Sequence, residues 1–306
     1  MRTLRRLALG TDLVALGTVM LGSWTRINGA GLTCPDWPLC HGRILPSFAD
    51  GTVWEWLHRL FAFCVAPFVV ALILVAWRQR ERSGFIAPTV GLIAALFLAQ
   101  VLLGAATVQL GNTPISVVLH WGTAMAFIAA LSAMAIFATA AEAPDRVALA
   151  RAGGVGLSAL LAMTAAVAFV TMCVGAYVSS SGAGLACLSI PGCAGNVVVY
   201  TQGQYVQMIH RVAAAATLIC AGGCVALAWA RPASARVRAA IAAGAALVCV
   251  QVLLGLLNVA LRLPTDLREA HAVNAALVFL AFVVATVFAL LDVRTLPAGA
   301  RAAAQR

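Results

Sequence analysis

Four histidines lie at matched positions in long apolar segments, and histidine is the commonest metal ligand among protein side chains. They are His58, His120, His210 and His271. Each is expected about four to six residues after an even-numbered helix begins, so the four imidazoles should lie at one depth, roughly 6–9 Å inside the helix ends. Two imidazoles that face one another across a helix bundle can bind a haem iron on both faces of the porphyrin. The spacing therefore predicts two haem sites, each held by two histidines.

Two other interpretations of these histidines stay open. A histidine inside a membrane can form a hydrogen bond between helices without binding any metal. A zinc site is a weaker alternative, because zinc takes three or four ligands and each half of the chain offers two histidines with no carboxylate or thiolate pattern common to both. The fifth histidine, His41, has no counterpart in the other half and is expected to be an ordinary loop residue.

The histidines come in matched pairs because the chain is a twofold repeat. The segment GAGLTCPDWPLC at Gly29–Cys40 matches GAGLACLSIPGC at Gly182–Cys193, and QVLLG occurs at both Gln100–Gly104 and Gln251–Gly255. The matched segments keep their order and a nearly constant offset of 151 to 153 residues. Such a repeat predicts two units of the same orientation. Each unit would be a four-helix bundle with a site in its core.

The two units differ beside the first histidine of each pair. Glu55 lies three residues before His58 and so on the same helix face, whereas Gln207 occupies the equivalent position before His210. An ionisable side chain at a membrane site indicates function, because burying a charge is costly. A carboxylate there could stabilise a developing cation or move a proton, which predicts a catalytic first unit and a supporting second unit. The alternative is a glutamate at the membrane interface that contacts only water.

Other polar side chains lie near the predicted sites. Arg59 and Arg211 directly follow two of the histidines and could pair with haem propionates, since a planar guanidinium suits a carboxylate. The alternative is that they extend to the lipid headgroups. Gln100 and Gln251 are expected to form hydrogen bonds between helices, and Asp12 is assigned no role.

Each unit also carries a pair of cysteines in its long loop, Cys34 with Cys40 and Cys187 with Cys193. Each pair could close a small loop over its site. A structural disulfide is the favoured interpretation of the second pair. For the first pair a redox role stays open as well, because a disulfide in a short exposed loop can undergo thiol exchange and this loop adjoins Glu55.

The elements that position these residues are predicted to be membrane helices. Of the 306 residues, 63% are hydrophobic and 10% are charged, against roughly 45–50% and about 25% in soluble domains. These values exclude a water-soluble globule, a disordered chain and a nucleic-acid-binding module. Eight continuous apolar runs are long enough to span a bilayer, which takes about 20 residues each. They are approximately Leu7–Trp24, Leu57–Trp77, Phe85–Leu110, Ile115–Ala140, Gly154–Val178, Val206–Trp229, Val237–Leu261 and Leu267–Leu291.

The arginines predict the orientation of this all-α integral membrane fold. Of the 20 arginines, 14 lie near the termini and the even-numbered turnarounds, and basic residues are retained on the cytoplasmic side of a membrane. Both termini are therefore predicted to be cytoplasmic, with eight transmembrane helices arranged as two tandem four-helix bundles. The long loops at about 26–54 and 179–205 would then lie on the outer, oxidising face, which suits their cysteine pairs.

Three features together resemble the haem A synthase family. They are GLTCPDWPLCHG at Gly31–Gly42, WEWLHRL at Trp54–Leu60, and the duplicated histidines. The likeness covers about residues 7–292, which is nearly the whole chain. The cysteine pairs are similar to those of the bacterial, cysteine-containing branch of the family.

The resemblance implies a multi-pass enzyme of the bacterial plasma membrane that converts haem O to haem A for terminal oxidases. It would oxidise one porphyrin methyl group to a formyl group, by successive hydroxylations with water as the oxygen source. Glu55 would be the catalytic carboxylate, and Cys34 with Cys40 the redox-active or structural pair. The implied partners are haem O, the haem O synthase that supplies it, and membrane lipid, with no nucleic acid.

The resemblance also divides the haem sites between two domains. The first, 1–145, would hold the substrate haem O, and the second, 146–306, would hold a haem B cofactor that passes electrons. The residues implied to flank the substrate are His58 and His120, and those implied to ligate haem B are His210 and His271.

Two other functions would use the same histidines. A di-haem membrane cytochrome would carry electrons without changing the porphyrin, and a haem transporter or chaperone would hold exchangeable haem in both units. The difference between Glu55 and Gln207 and the loop cysteines weigh against the cytochrome. The repeat by itself does not exclude a transporter, since transporters are also built from repeats.

Overall fold

The chain is all-helical in the computed structural model, which describes residues 1–48, 50–142, 154–193, 195 and 199–294. Eight of the helices in these ranges are long and apolar enough to cross a membrane, which confirms the predicted fold class. They are α1 (Arg2–Ile27), α2 (Thr52–Arg78), α3 (Ile86–Gln109), α4 (Pro114–Glu142), α5 (Gly154–Ser180), α6 (Gln202–Ala230), α7 (Ala235–Ala260) and α8 (Thr265–Arg294). The orientation of the termini stays a prediction, and Arg146, Arg151, Arg301 and Arg306 lie outside the described residues.

The even-numbered helices begin one to five residues earlier than the apolar runs predict, and in α6 the added first turn is polar. At the start of α6, the Thr201 side chain accepts a hydrogen bond from the backbone of Gln204, whose own side chain accepts one from the backbone of Thr201. Such a reciprocal cap stabilises a first turn that contains no apolar residue. His58 and His271 consequently follow the first residues of α2 and α8 by six positions. That places them about 9 Å inside the helices, at the deep end of the predicted range. His210 follows Gln202 by eight positions and so lies about 12 Å inside α6, which is deeper than predicted.

Four helices form the centre of the protein and four lie outside them. The central helices are α1, α4, α5 and α8; α2 and α3 pack on one side of this group, and α6 and α7 on the other. Within each half, every helix packs against its two neighbours in a ring, so α2 lies diagonally opposite α4, and α6 opposite α8. This packing fits two tandem bundles. The predicted domain boundary, between residues 145 and 146, lies outside the described residues and stays a prediction.

The central helices are held by close packing of apolar side chains. The largest fully buried ones include Leu4, Ile128, Leu131, Leu161 and Phe282. In lipid such contacts stabilise helix association through van der Waals packing rather than through release of water. The outer helices present apolar residues such as Phe63 and Val212 at the surface, 76% and 65% exposed, as expected for lipid-facing positions.

Glycines turn the chain from α1 and α5 into the two long loops. Gly29 and Gly182 follow these helices with φ of +73°, a conformation that glycine adopts without steric penalty. The two glycines are equivalent in the repeat. The loops therefore leave their helices in the same way, at the end of the bundle where α2, α4, α6 and α8 begin; we call this the loop end.

Candidate functional site

The second unit brings its two histidines together across the bundle. His210 on α6 and His271 on α8 have ring centroids 6.4 Å apart, with an angle of 74° between the ring planes. With about 2 Å for each metal–nitrogen bond, two imidazoles on opposite sides of one metal ion have ring centroids roughly 6 Å apart. The separation therefore fits ligation of one iron atom by both rings. In the first unit His58 and His120 are also close enough to interact electrostatically.

A glycine of the preceding helix lies against the first histidine of each pair. A Cβ atom on Gly22 would lie 2.6 Å from Cε1 of His58, and one on Gly175 would lie 2.8 Å from Cε1 of His210. Both distances are shorter than carbon atoms tolerate, so any larger residue would push the imidazole away. The two glycines thus allow the rings to pack directly on the backbone of α1 and α5.

The second histidine of each pair is backed in the same way, with slightly more room. A Cβ atom on Gly104 would lie 3.2 Å from Cε1 of His120, and one on Gly255 would lie 3.3 Å from Cε1 of His271. Both glycines belong to the repeated QVLLG segment. All four imidazoles therefore pack directly against a glycine, and the two units share this packing as well as their sequence.

Hydrogen bonds fix the ring orientation of the first histidine in each pair. Nδ1 of His58 lies 3.0 Å from the carbonyl oxygen of Thr18, and Nδ1 of His210 lies 3.2 Å from that of Thr171. Because a carbonyl oxygen only accepts, Nδ1 must donate. The neutral ring then carries a lone pair on Nε2, which is the arrangement of a metal-binding histidine.

The repeated glutamines contact the second histidine of each pair. The amide nitrogen of Gln100 lies 3.3 Å from Nε2 of His120. That of Gln251 lies 3.2 Å from both ring nitrogens of His271 and 3.1 Å from its carbonyl oxygen. An amide nitrogen only donates, so a ring nitrogen that accepts from it carries a lone pair that a metal ion could take instead. The predicted hydrogen bonds between helices are present, and they end on the histidines.

The second unit is more completely bonded around this pair than the first. The side-chain oxygen of Gln251 accepts a hydrogen bond of 2.7 Å from Asn274, which directs the amide nitrogen towards His271. Among the described residues, the side-chain oxygen of Gln100 and Nδ1 of His120 are buried without a hydrogen-bond partner. A bound group that supplies hydrogen-bond partners would thus satisfy buried polar atoms in the first unit that already have partners in the second.

Glu55 is buried and holds the first cysteine loop in place. Its side chain is 4% exposed. One carboxylate oxygen accepts hydrogen bonds from the Cys34 amide at 2.8 Å and from the Thr33 hydroxyl at 3.0 Å. The other oxygen forms an ion pair of 2.7 Å with Arg59, one turn along α2. The alternative of a glutamate that contacts only water is therefore wrong.

Gln207 holds the second cysteine loop at the equivalent point. Its side-chain oxygen accepts from the Cys187 amide at 2.5 Å, as Glu55 does from Cys34. Its amide nitrogen also donates to the carbonyl oxygen of Gly184 at 2.8 Å, a bond that a carboxylate cannot make. Holding the loop is thus common to both units, and the charge is what distinguishes the first.

In the first unit, Glu55 cannot donate a hydrogen bond as Gln207 does, and a residue outside α2 supplies that donor. Gly31, the equivalent of Gly184, has its carbonyl oxygen bonded by the side-chain amide of Asn112 at 2.8 Å. In the second unit the position of Asn112 is taken by Leu263, and both residues have positive φ, 54° and 61°. A Cβ atom on Gly184 would lie 2.8 Å from Cδ1 of Leu263, so the leucine packs against it. The first unit has Glu55 where the second has Gln207, and Asn112 where the second has Leu263, so the equivalent glycine carbonyl is hydrogen-bonded in both units.

Both arginines that follow a histidine are bonded to loop carbonyl groups. Arg59 donates to the carbonyl oxygens of Cys34 at 2.8 Å and Asp36 at 2.5 Å, and also to that of Leu39. Arg211 donates to the carbonyl oxygen of Cys187 at 2.7 Å. It also donates to the carbonyl oxygens of Ser189 and Gly192, both at 2.6 Å. A propionate contact by either arginine stays a prediction, and it would have to compete with these bonds.

The two cysteine pairs form disulfides, Cys34–Cys40 and Cys187–Cys193. All four cysteines are at most 1% exposed, although their loops lie at the surface. Thiol–disulfide exchange requires access of a thiolate to the sulfur. Burial therefore favours the structural interpretation of both pairs, and a redox role of the first pair stays a prediction.

The first loop is also held by a carboxylate. Asp36 accepts hydrogen bonds from the backbone amides of Gly42 at 2.8 Å and His41 at 2.6 Å. These bonds, first that of Gly42, lower the pKa of the exposed Asp36 carboxyl. His41 itself bonds within the loop, where Nε2 lies 2.9 Å from the carbonyl oxygen of Thr33.

Comparison with known proteins identifies the family of this chain. Residues 5–283 match the COX15-CtaA family, described as cytochrome oxidase assembly protein. The chain belongs to this family.

Several relatives are named haem A synthase. That of Bacillus pumilus is 29% identical over 225 residues, which cover 69% of this chain and 70% of the relative. That of Shewanella oneidensis is 26% identical over 318 residues, covering 91% of this chain and 94% of the relative. That of Geobacillus kaustophilus is 29% identical over 225 residues, covering 71% and 69%.

The residues that support the first histidine of each pair were not predicted from the sequence. They form the segments TVMLG at Thr18–Gly22 and TMCVG at Thr171–Gly175. The threonine carbonyl accepts from Nδ1 and the glycine seats the ring. The signal was present, because the two segments are separated by the same offset as the cysteine loops, but neither looks like a site without the histidine beside it.

Proposed function

We propose that this chain is a haem A synthase, which oxidises a methyl group of haem O to a formyl group and so gives haem A for terminal oxidases. The proposal rests on the duplicated pairs of histidines seated on glycine, in a member of a family whose relatives carry this name. A pair of opposed imidazoles suits a porphyrin iron. Two such pairs provide for a substrate haem and a second haem in one chain.

The two pairs would have different tasks. His58 and His120 would flank haem O, and His210 and His271 would ligate haem B, which supplies an electron-transfer centre when bound. The bond between Asn274 and Gln251 supports this division, because it orients the contacts of His271 in advance. A permanent cofactor gains from such preorganisation, whereas a substrate must leave after conversion.

Glu55 would act on the reacting methyl group as a fixed negative charge. Each hydroxylation takes one oxygen atom from water and releases two electrons and two protons, and the twice-hydroxylated carbon loses one water to give the formyl group. Positive charge develops on that carbon as electrons leave. A carboxylate held by three donors cannot reorient, so it stabilises this charge without reorganisation.

The surroundings of the enzyme follow from the same proposal. The protein would lie in the bacterial plasma membrane with both termini in the cytoplasm and the cysteine loops on the outer face, as the arginine distribution supports. Haem O would arrive through the membrane from the haem O synthase that makes it.

Pigment analysis tests the proposed activity. The chain is produced with a haem O synthase in cells that lack any other haem A synthase, and the haem in the membranes is extracted with acid and separated. We expect haem A from the native chain and from Leu119→Ala, which changes an exposed neighbour on α4. His120→Ala should leave haem O. Unchanged haem O in membranes that contain the native chain would overturn the proposal.

The same experiment separates the alternatives. A di-haem cytochrome would bind haem in both units and leave haem O unconverted. A transporter or chaperone would leave it unconverted and would also release it to an external haem-binding protein.

A further inference from the structure

Two arginines meet between the units at the loop end of the bundle. Arg26 lies in the last turn of α1, and Arg268 lies in the first turn of α8. Arg26 is close enough to interact electrostatically with both Arg268 and Glu269. Arg268 reaches the end of α1, where its guanidinium lies 3.5 Å from the carbonyl oxygen of Ile27. The pair therefore belongs to both halves of the protein.

Each arginine lies about one helical turn outward of a histidine site. Arg268 precedes His271 by three residues, so the two side chains share a face of α8. Arg26 follows Gly22 by four residues on α1, and Gly22 is the residue on which His58 is seated. The two arginines thus lie on the loop side of the histidine layer and between the units, where the guanidinium of Arg26 bonds to Ser179 of α5 and that of Arg268 contacts Ile27 at the end of α1.

The two guanidinium groups have donors to spare. Arg26 donates to the Ser179 hydroxyl at 3.1 Å, and Arg268 makes the long contact to Ile27. A guanidinium has five N–H donors. By contrast, Arg59 and Arg211 each bond to several loop carbonyl groups.

The charge of the pair is only partly compensated, by Glu269 near Arg26. Among the described residues, the ion pairs within 4.0 Å involve other arginines. The carboxylate of Glu269 instead accepts a hydrogen bond of 2.8 Å from Ser23. Two half-buried cations with one nearby carboxylate repel each other, and an added anion would relieve this repulsion.

We propose that Arg26 and Arg268 bind propionate carboxylates of the porphyrins held by the histidine pairs. A propionate is an anion attached to the ligand itself, and a guanidinium binds a carboxylate through two parallel hydrogen bonds. Arg59 and Arg211 then keep the cysteine loops in place instead. The inference rests on the proposed function, because it requires a porphyrin in these sites.

The proposal is tested by porphyrin binding, not by turnover. The full chain is produced in haem-deficient cells, purified in neutral detergent, and titrated with iron protoporphyrin IX and with its dimethyl ester, which lacks the charged propionates. We expect the native protein to bind the diacid at least about tenfold more tightly than the ester, the size of one charge-assisted hydrogen bond. In Arg26→Gln/Arg268→Gln this ratio should fall to about two- to threefold.

Control variants separate this role from a structural one. Arg43→Gln, which removes an exposed arginine of the first cysteine loop, should keep the native ratio. Arg26→Lys/Arg268→Lys retains both charges and should keep part of the native preference for the diacid over the ester. This variant tests the proposal even when the glutamine variant folds poorly. A purely structural role would weaken diacid and ester equally, and an unchanged ratio in the glutamine variant would overturn the proposal.

Two further outcomes have distinct meanings. A native protein that binds diacid and ester equally, but binds phosphatidylglycerol only with both arginines present, would identify a lipid headgroup as the occupant and would also overturn the proposal. A native protein that binds neither porphyrin would contradict the proposed function itself.

Discussion

The two units use one framework to hold a cysteine loop over a histidine pair, and they differ in the charge at its centre. In the first, the loop amide of Cys34 is bonded by the carboxylate of Glu55; in the second, that of Cys187 is bonded by the neutral Gln207. The comparison teaches that the loop does not require a charge at this point. A buried carboxylate is expensive without compensation, and the ion pair with Arg59 supplies that compensation for Glu55. The catalytic role of Glu55 therefore stays a prediction, which the exchanges between the two units test.

The exchange of Glu55 for Gln207 also shows how a repeat diverges without losing hydrogen bonds. The amide of Gln207 satisfies the Gly184 carbonyl, whereas the carboxylate of Glu55 cannot donate and Asn112 satisfies Gly31 instead. Buried backbone carbonyl groups are nearly always bonded. A change at one position therefore constrains a residue on a different helix connection.

Removing a histidine of the second unit gives the largest expected effect. His210→Ala or His271→Ala should abolish the low-spin b-type spectrum assigned to that unit, since an iron atom with one axial imidazole is no longer held on both faces. Optical and electron paramagnetic resonance spectra of the purified protein measure this. Ile209→Ala, an exposed neighbour of His210, should leave the spectrum intact, and an unchanged spectrum in the histidine variants would contradict the ligand assignment.

Making the first unit resemble the second tests the role of the charge. Glu55→Gln should keep the hydrogen bond to Cys34 and bind haem normally, but lower conversion by about 100-fold, as expected for loss of a preorganised electrostatic group. Haem O or a hydroxylated intermediate should accumulate in the extracted pigments. A normal yield of haem A from this variant would reject a catalytic role for Glu55.

Filling the glycine seats should distinguish the two kinds of histidine contact. Gly22→Ala places a Cβ atom 2.6 Å from His58, so the ring must move and its bond to Thr18 weakens. We expect about fivefold weaker haem binding, the loss of roughly one hydrogen bond. Gly104→Ala, with 3.2 Å of room, should have a smaller effect. Gly17→Ala on the same helix as Gly22 meets nothing within 4 Å and serves as control; equal effects of all three would exclude the steric explanation.

The reverse exchange tests the balance between the loops. Gln207→Glu removes the donor to Gly184 and should destabilise the protein by about 1–3 kcal/mol, the usual penalty for an unsatisfied buried group. Adding Leu263→Asn supplies an amide as Asn112 does, and should recover about 1 kcal/mol as a coupling between two residues that share Gly184 as a partner. Thermal unfolding of the two single variants and the double variant in detergent measures this coupling. Purely additive effects would show that the two positions are independent.

The smallest expected effect is a difference in acid sensitivity between the loops. The pKa of Asp36 is lowered, first by the Gly42 amide, so its stabilisation is present above the unfolded pKa near 3.9 and is lost as the pH falls through the folded value. Ser189 makes the equivalent bond to Gly195 through a hydroxyl that does not titrate here. As the pH falls below about 4, the rate at which a phosphine reduces Cys34–Cys40 should therefore rise relative to its rate for Cys187–Cys193. The ratio of the two rates cancels the effect of pH on the phosphine itself.

Asp36→Ser provides the matched control for that measurement. It replaces the carboxylate with the hydroxyl found in the second loop, so the ratio of the reduction rates of Cys34–Cys40 and Cys187–Cys193 should lose its dependence on pH. If both disulfides respond to acid equally in the native protein, the Asp36 carboxylate does not control the first loop.

The sequence predicted the helices and the pairing of the histidines because these depend on local patterns. Continuous apolar runs require helices in lipid, and the repeat places His58, His120, His210 and His271 at equivalent positions in them. The loop cysteines could be paired for the same reason, since they are near neighbours in the chain. The exact helix starts could not be predicted, because polar first turns such as that of α6 depend on capping contacts.

The partners of the polar side chains were decided by the tertiary structure alone. A guanidinium such as that of Arg59 could reach a propionate, a lipid headgroup or a loop carbonyl, and only the fold of the loop shows that its bonds go to carbonyl groups. The contacts of Gly22 with His58 and of Asn112 with Gly31 join distant parts of the chain. Hydropathy and helical period act over a few residues, whereas a hydrogen bond depends on atoms brought within about 3 Å by the packing of whole helices.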